Sequence, residues 1–120
     1  MARILLADDD AATRDLVTRA LATDGHNVTT TQDGSEALEK LQEAPTGYDL
    51  LISDVQMPGL DGIALAEQGL AGHPKLRVLL MSGFADELGR ADHLKSRGAS
   101  VFTKPFSLEQ IRAAVKAALA

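Results

Sequence analysis

The chain has 120 residues, a formal net charge of −5 and no cysteine, which suits one domain with one core and excludes disulfides, thiolate metal sites and cysteine nucleophiles. The net charge is negative and no basic patch stands out in the sequence that could neutralise phosphates, so nucleic acid is not an expected partner. No apolar run approaches the roughly 20 residues of a membrane span, and the N-terminal "MARILLADDD" is too short in apolar residues for a signal peptide, so we expect a cytoplasmic protein with no membrane partner.

The first half of the chain alternates short apolar runs with helical periodicity. Residues 4–7, "ILLA", predict a strand, and the apolar spacing that follows predicts a helix over Ala11–Thr23. Asp10 is positioned to cap the start of this helix, and Gly25 follows its end. The polar, β-branched residues 27–30 predict an edge strand. A second helix is then predicted over residues 35–43, and a third strand over residues 50–52.

The second half continues the same alternation. After the turn at Pro58 and Gly59, Asp61 opens a third helix that begins near Gly62. Residues 78–81, "VLLM", predict a strand, residues 86–97 a fourth helix that ends at Gly98, and residues 101–102 a fifth strand. The last helix carries a capping box and one apolar stripe. Its residues are Ser107 and Gln110 for the capping box, and Leu108, Ile111, Val115 and Leu119 for the stripe.

This alternation predicts an α/β fold. The runs "ILLA" and "VLLM" are apolar at consecutive positions, as required of strands that are covered on both faces in a parallel sheet. Five strands alternating with five helices form right-handed βα units, and the chain is too short for an eightfold barrel. We therefore expect an open, doubly wound sheet whose ligand site lies at the carboxyl ends of its strands.

Ionisable and polar residues follow the predicted strands at that edge. They are Asp8 and Asp9, then Asp54, then Ser82, and finally Lys104 before Pro105. Clustered carboxylates need compensation, either by a shared proton and a raised pKa or by a hard divalent cation such as Mg²⁺. A nearby lysine favours the cation, because an ammonium is a partner for a phosphoryl group. The simplest chemistry is phosphoryl transfer to a carboxylate, which gives an aspartyl phosphate.

The three carboxylates of "DDD" and the single Asp54 are predicted to have different roles. Asp54 is the better phosphoryl acceptor, since it ends a central strand and is followed at once by the loop "DVQMPGLDG". The pair Asp8 and Asp9 suits cation binding. Asp10 is assigned to the helix N-cap instead.

These motifs, taken in order, resemble the receiver domain of two-component response regulators over the whole chain. The stretches that carry the resemblance are "ILLADDD", "LLISDVQMPGLDG", "VLLMSGFA" and "VFTKPF". The resemblance implies a flavodoxin-like, five-stranded parallel sheet in the order 2-1-3-4-5 with five helices. It also implies a stand-alone, CheY-like receiver over residues 1–120 with no output domain. The stretches "MSGFA" and "KPFS" are similar to receivers of alphaproteobacterial kinases and to a cell-cycle stand-alone receiver.

The resemblance also implies a role for each residue of the site. Asp54 is the phosphoacceptor. The Mg²⁺ ligands are Asp8, Asp9, Asp54 and the backbone carbonyl of Gln56; Ser82 and Lys104 contact the phosphoryl group; Gln56 and Phe84 tune its hydrolysis; and the Lys104–Pro105 peptide bond is cis. The phosphoryl donor is a histidine kinase or a histidine phosphotransfer protein. The protein is then a phosphoacceptor that assists its own phosphotransfer and autodephosphorylation, not an enzyme. A downstream protein binds the face of the fourth helix, fifth strand and fifth helix.

One position departs from the family pattern. Receivers often carry a Tyr or Phe three residues before the lysine, where this chain has Val101, and the aromatic residue follows at Phe102. The strand period of two places Phe102 on the opposite face. Coupling of the hydroxyl to an aromatic switch is therefore not expected, and loop and helix movement would report the phosphoryl group.

Other functions remain open from the sequence. A Mg²⁺-dependent small-molecule phosphohydrolase carries its nucleophile on the first strand with a second acid two residues later, and Asp8 and Asp10 fit that spacing. It would leave Asp54 and the Lys-Pro step unexplained. A pseudo-receiver that binds partners without phosphate is the second alternative. A flavin-binding relative is weaker, because no Ser/Thr/Gly-rich phosphate loop follows the first strand.

Overall fold

The computed structural model describes residues 2–43 and 47–120, and this part of the chain forms one five-stranded, wholly parallel sheet. The strands are β1 (Arg3–Ala7), β2 (Asn27–Thr31), β3 (Leu50–Asp54), β4 (Arg77–Ser82) and β5 (Ala99–Thr103). Their order is β2-β1-β3-β4-β5, which confirms the predicted doubly wound sheet. The polar β2 lies at an edge, as its sequence predicts. The strand order reverses between β1 and β3, so a ligand site is expected there.

Helices cover both faces of the sheet. They are α1 (Ala11–Thr23), α2 (Gly34–Glu43), α3 (Gly62–Gly72), α4 (Ala85–Gly89), a 3₁₀ helix (Asp92–Arg97) and α5 (Leu108–Leu119). Alternate residues of each central strand enter two different clusters: Leu51 packs with α2, α3 and α4 residues, whereas Leu50 and Ile52 pack with α1 and α5 residues. All three are fully buried, which explains why the strands are apolar at consecutive positions. No helix within residues 2–43 and 47–120 has the length and hydropathy to cross a bilayer.

The prediction of one continuous fourth helix over residues 86–97 is wrong. The segment divides into α4 and the 3₁₀ helix, so the described residues contain six helices where five were expected. Its buried apolar residues are Leu88, Ala91 and Leu94. Their spacing of three matches the three residues per turn of a 3₁₀ helix, and Gly89 weakens an α-helix at the same place.

The predicted helix boundaries follow from local hydrogen bonds. The side chain of Asp10 accepts from the N–H groups at the start of α1, and the side chain of Asp61 accepts from that of Ala64 in α3. Ser107 and Gln110 form both halves of a capping box at α5. Gly98 ends the 3₁₀ helix with φ at 96°, a conformation that favours glycine. These caps confirm the sequence prediction.

Candidate functional site

The strand register brings the predicted site residues to one edge of the sheet. Ala7 lies beside Ser53, and Asp54 beside Met81, in neighbouring strands. Asp8 follows Ala7 and Asp54 follows Ser53, so these two carboxylates emerge at the same level. Ser82 pairs with Thr103, so Lys104 emerges next to Ser82 and its N–H donates to the Ser82 carbonyl oxygen at 2.9 Å.

Three carboxylates meet at this edge. Asp8, Asp9 and Asp54 each offer one oxygen, and these oxygens lie within 4.8 Å of one another. Asp8 is fully buried, Asp54 keeps 13% of its side chain exposed and Asp9 is exposed. Burial raises the pKa of Asp54, and the charges of Asp8 and Asp9 add to this rise, while Lys104 opposes it. The cluster is thus a set of oxygen ligands of the kind that Mg²⁺ prefers.

Lys104 compensates this negative charge. Its Nζ lies 3.0 Å from Asp8 Oδ2 and 3.3 Å from Asp54 Oδ2. Burial alone would lower the pKa of Lys104, but the hydrogen bond to Asp8 and the charges of Asp8 and Asp54 outweigh it and raise the pKa. The ammonium therefore stays charged beside the carboxylate that was predicted to accept a phosphoryl group. The Lys104–Pro105 peptide bond is cis.

The hydroxyl of Ser82 has a partner that the sequence did not reveal. Ser82 is buried, and its Oγ donates to Glu87 Oε1 of α4 at 2.5 Å. The same Oγ accepts from the Phe84 N–H at 3.0 Å. The spacing of five residues gives no helical or strand signal for this pair, because Ser82 ends a strand and Glu87 lies in a helix.

Two glycines pack the loop after Asp54 closely, and sequence reasoning recognised only a helix start at one of them. A Cβ on Gly62 would lie 2.1 Å from the Asp54 carbonyl oxygen, and one on Gly34 would lie 2.0 Å from the Leu60 carbonyl oxygen. Both glycines follow an aspartate whose carboxylate caps the helix they begin. A repeated Asp-Gly step at a helix start was the available signal.

The remaining predicted residues lie in loops or in the core. Gln56 is exposed in the loop after β3, and Phe84, with 63% of its surface exposed, precedes α4. Val101 packs against the hydrophobic core between the sheet and helices α2, α3 and α4. Phe102 packs on the opposite face of the sheet, with its ring 5.1 Å from that of Phe106. The prediction that Phe102 faces away from the Val101 side is confirmed.

Asp10 does not join the carboxylates that meet within 4.8 Å. Its carboxylate accepts from the Thr13 hydroxyl at 2.6 Å and from the N–H groups of Ala12 and Thr13. The hydroxyl of Thr13 lowers the pKa of Asp10, and the backbone bonds add to this effect. The spacing of Asp8 and Asp10 that fitted a phosphohydrolase is thus explained by a helix cap.

Comparison with known proteins gives a consistent assignment. A family model described as the response regulator receiver domain matches residues 4–116. The chain is 40% identical over 111 residues to the response regulator receiver protein CpdR of Brucella abortus, covering 92% of this chain and 91% of that protein. It is 34% identical to the sensor kinase CckA of the same organism, covering 96% of this chain but 12% of that kinase. A receiver domain protein of Clostridium thermocellum has a crystal structure with a TM-score of 0.87 at 27% identity, covering 99% of this chain and 94% of that one.

Proposed function

The chain belongs to the response regulator receiver family, and from this membership we propose that Asp54 accepts a phosphoryl group from a histidine kinase or a histidine phosphotransfer protein. The observation that carries the proposal is the position of Asp54. It is the partly exposed carboxylate at the strand-order reversal, with the Lys104 ammonium 3.3 Å from its Oδ2. Residues 1–120 would act as one receiver domain.

In the proposed reaction, an Asp54 carboxylate oxygen attacks the phosphorus of a phosphohistidine. The new O–P bond replaces the P–N bond, and the histidine nitrogen leaves with the electron pair. The Lys104 ammonium lies where it can neutralise charge on the transferring group. Ser82 supplies a hydroxyl at the end of the neighbouring strand, where it can donate to a phosphoryl oxygen.

The carboxylate cluster fits a Mg²⁺ ion. Asp8, Asp9 and Asp54 would hold it, together with the carbonyl of Gln56 that the family resemblance implies, because each carboxylate presents an oxygen within 4.8 Å of the other two. Bound there, Mg²⁺ supplies positive charge to the phosphoryl oxygens. Asp8, which is fully buried, accepts from the Asp10 N–H at 2.9 Å, so its carboxylate is held in place.

The proposed output is a change in a protein-binding surface formed by α4, β5 and α5. Two exposed side chains near the phosphoryl group, Gln56 and Phe84, would set its lifetime. Phe84 keeps 63% of its surface exposed two residues after Ser82, where an apolar ring can hinder the approach of water. Replacing Phe84 with alanine should therefore speed autodephosphorylation, and an unchanged rate would contradict this role.

Intact-protein mass measurement tests the central proposal. The chain is incubated with Mg²⁺ and a small phosphodonor, and a gain of one phosphoryl group is expected in the wild type. Asp54→Asn should abolish the gain. Asp10→Asn is the matched control, since asparagine is also a good N-cap, and it should retain the gain.

Each alternative function predicts a different result. No gain in the wild type would support a pseudo-receiver and refute the proposal. A gain that persists in Asp54→Asn but disappears in Asp8→Asn would place the nucleophile on the first strand, as a phosphohydrolase requires.

A further inference from the structure

Ser82 carries one hydroxyl proton, and in the structure the hydroxyl donates it in a hydrogen bond to the Glu87 carboxylate. Two acceptors lie within reach, the Glu87 carboxylate at 2.5 Å and the Phe84 carbonyl oxygen at 3.3 Å. A hydroxyl donates to one acceptor at a time, and a charged acceptor forms the shorter and stronger bond. The Phe84 N–H already occupies part of the acceptor side of the same oxygen. Glu87 therefore fixes the direction in which the hydroxyl donates.

This fixed hydroxyl lies at the proposed phosphorylation site. Asp54 pairs in register with Met81, the residue before Ser82. The Lys104 N–H donates to the Ser82 carbonyl oxygen, and the Lys104 side chain contacts Asp54. A phosphoryl group on Asp54 would place acceptor oxygens with negative charge near the Ser82 hydroxyl, in competition with the Glu87 carboxylate.

We propose that Glu87 is a positioning residue that competes with the phosphoryl group on Asp54 for the Ser82 hydroxyl. The inference rests on the proposed function. In the unphosphorylated protein, Glu87 ties α4 to the end of β4 through this bond. When the hydroxyl turns to a phosphoryl oxygen, the Glu87 carboxylate loses its donor and faces added negative charge, so the start of α4 is released. Glu87 thereby couples phosphorylation to the position of α4.

The neighbouring residue provides a matched control. Asp86 carries the same charge as Glu87 on the same short helix, but its side chain is exposed. Replacing either residue with its amide removes one negative charge near the site. Only the Glu87 change alters the acceptor of the Ser82 hydroxyl, so the pair separates specific competition from a general effect of charge.

Binding of beryllium fluoride, a mimic of a phosphoryl group on a carboxylate, measures the competition directly. Titration in the presence of Mg²⁺ compares the wild type with E87Q, D86N, S82A and the double variant S82A/E87Q. We expect E87Q to bind about fivefold more tightly, the difference between hydrogen bonds to a charged and to a neutral acceptor. D86N should stay within about twofold of the wild type, and E87Q should have no effect in the S82A background.

Three results would overturn the inference while leaving the proposed function intact. They are equal affinities of E87Q and the wild type, an equal gain in D86N, and a gain from E87Q that persists without the Ser82 hydroxyl. Failure of the proposed function is distinguished in the wild type alone, which would then neither bind beryllium fluoride nor gain a phosphoryl group. Thermal melting of each variant verifies that the fold is retained.

Discussion

Gly62 begins α3 directly behind the proposed phosphoacceptor, and alanine at this position tests how closely the two backbones approach. A Cβ there would lie 2.1 Å from the Asp54 carbonyl oxygen and 2.9 Å from the carbonyl carbon. Real Cβ atoms essentially never come within 3.0 Å of such atoms. The Asp54 carbonyl oxygen also accepts from the Ser53 hydroxyl at 2.9 Å, so it is not free to move aside. Either the start of α3 or the end of β3 must shift.

The expected cost follows from two opposing terms. Overpacking destabilises by about 1–3 kcal/mol, and the upper end applies because the obstacle is backbone. Alanine in place of glycine in a helix restores at most about 1 kcal/mol. The net loss in the free energy of unfolding for Gly62→Ala is therefore about 2 kcal/mol. For a chain of this length that corresponds to a fall in Tm of roughly 6–12 °C.

Urea denaturation followed by circular dichroism measures this loss. Gly72→Ala is the matched control at the other end of α3, because a Cβ there has no heavy atom within 4 Å among the described residues. The control should be unchanged or more stable by up to about 1 kcal/mol. Equal stability of the two variants would refute the argument that the Asp54 carbonyl sets the space available at Gly62.

Two further predictions concern the charged groups. Mg²⁺ at about ten times its dissociation constant should raise the free energy of unfolding by about 1.4 kcal/mol. Asp9→Asn should remove most of this rise. A wild-type Tm that does not change when Mg²⁺ is added would contradict the metal site. Burial raises the pKa of Asp61, but bonds from the Ala64 N–H and Arg90 outweigh it, so the pKa is lowered. The ionised cap therefore adds stability above the carboxyl pKa of the unfolded chain, and this stability is lost as pH falls through the lowered pKa. Asp61→Ala should cost about 1 kcal/mol near pH 7 and less near pH 3; a constant difference in urea denaturation across this range would argue against it.

The sheet and the acidic edge could be predicted because their signals are local. Consecutive apolar residues such as those of "ILLA" predict strands covered on both faces, and parallel strands bring their carboxyl ends together. Asp8 and Asp54, distant in sequence, therefore meet without any need for a detailed packing argument. The cap at Asp10 was equally local, because its hydrogen bonds reach only two and three residues along the chain.

The features that escaped prediction depend on packing between elements. The bond of Ser82 to Glu87 requires the angle between β4 and α4, which no periodicity encodes. The close approach of Gly62 to Asp54 requires the path of a loop. The 3₁₀ helix was misread because a spacing of three over a short segment resembles part of a helical stripe, and only the buried positions distinguish the two periods.

In the proposed function, the segment between β4 and β5 would be the part of the fold that responds to phosphorylation. Its α4 has five residues and its 3₁₀ helix has six, anchored by the buried side chains of Leu88, Ala91 and Leu94. Elements with so few apolar contacts have low local free energies of opening. Reversing a 1:99 population takes about 5.5 kcal/mol of differential binding, whereas exchanging one hydrogen bond to a charged group is worth about 1.5–3 kcal/mol. A single change of partner at Ser82 is therefore too small to reverse a 1:99 population by itself, and full switching would need further contacts of the phosphoryl group.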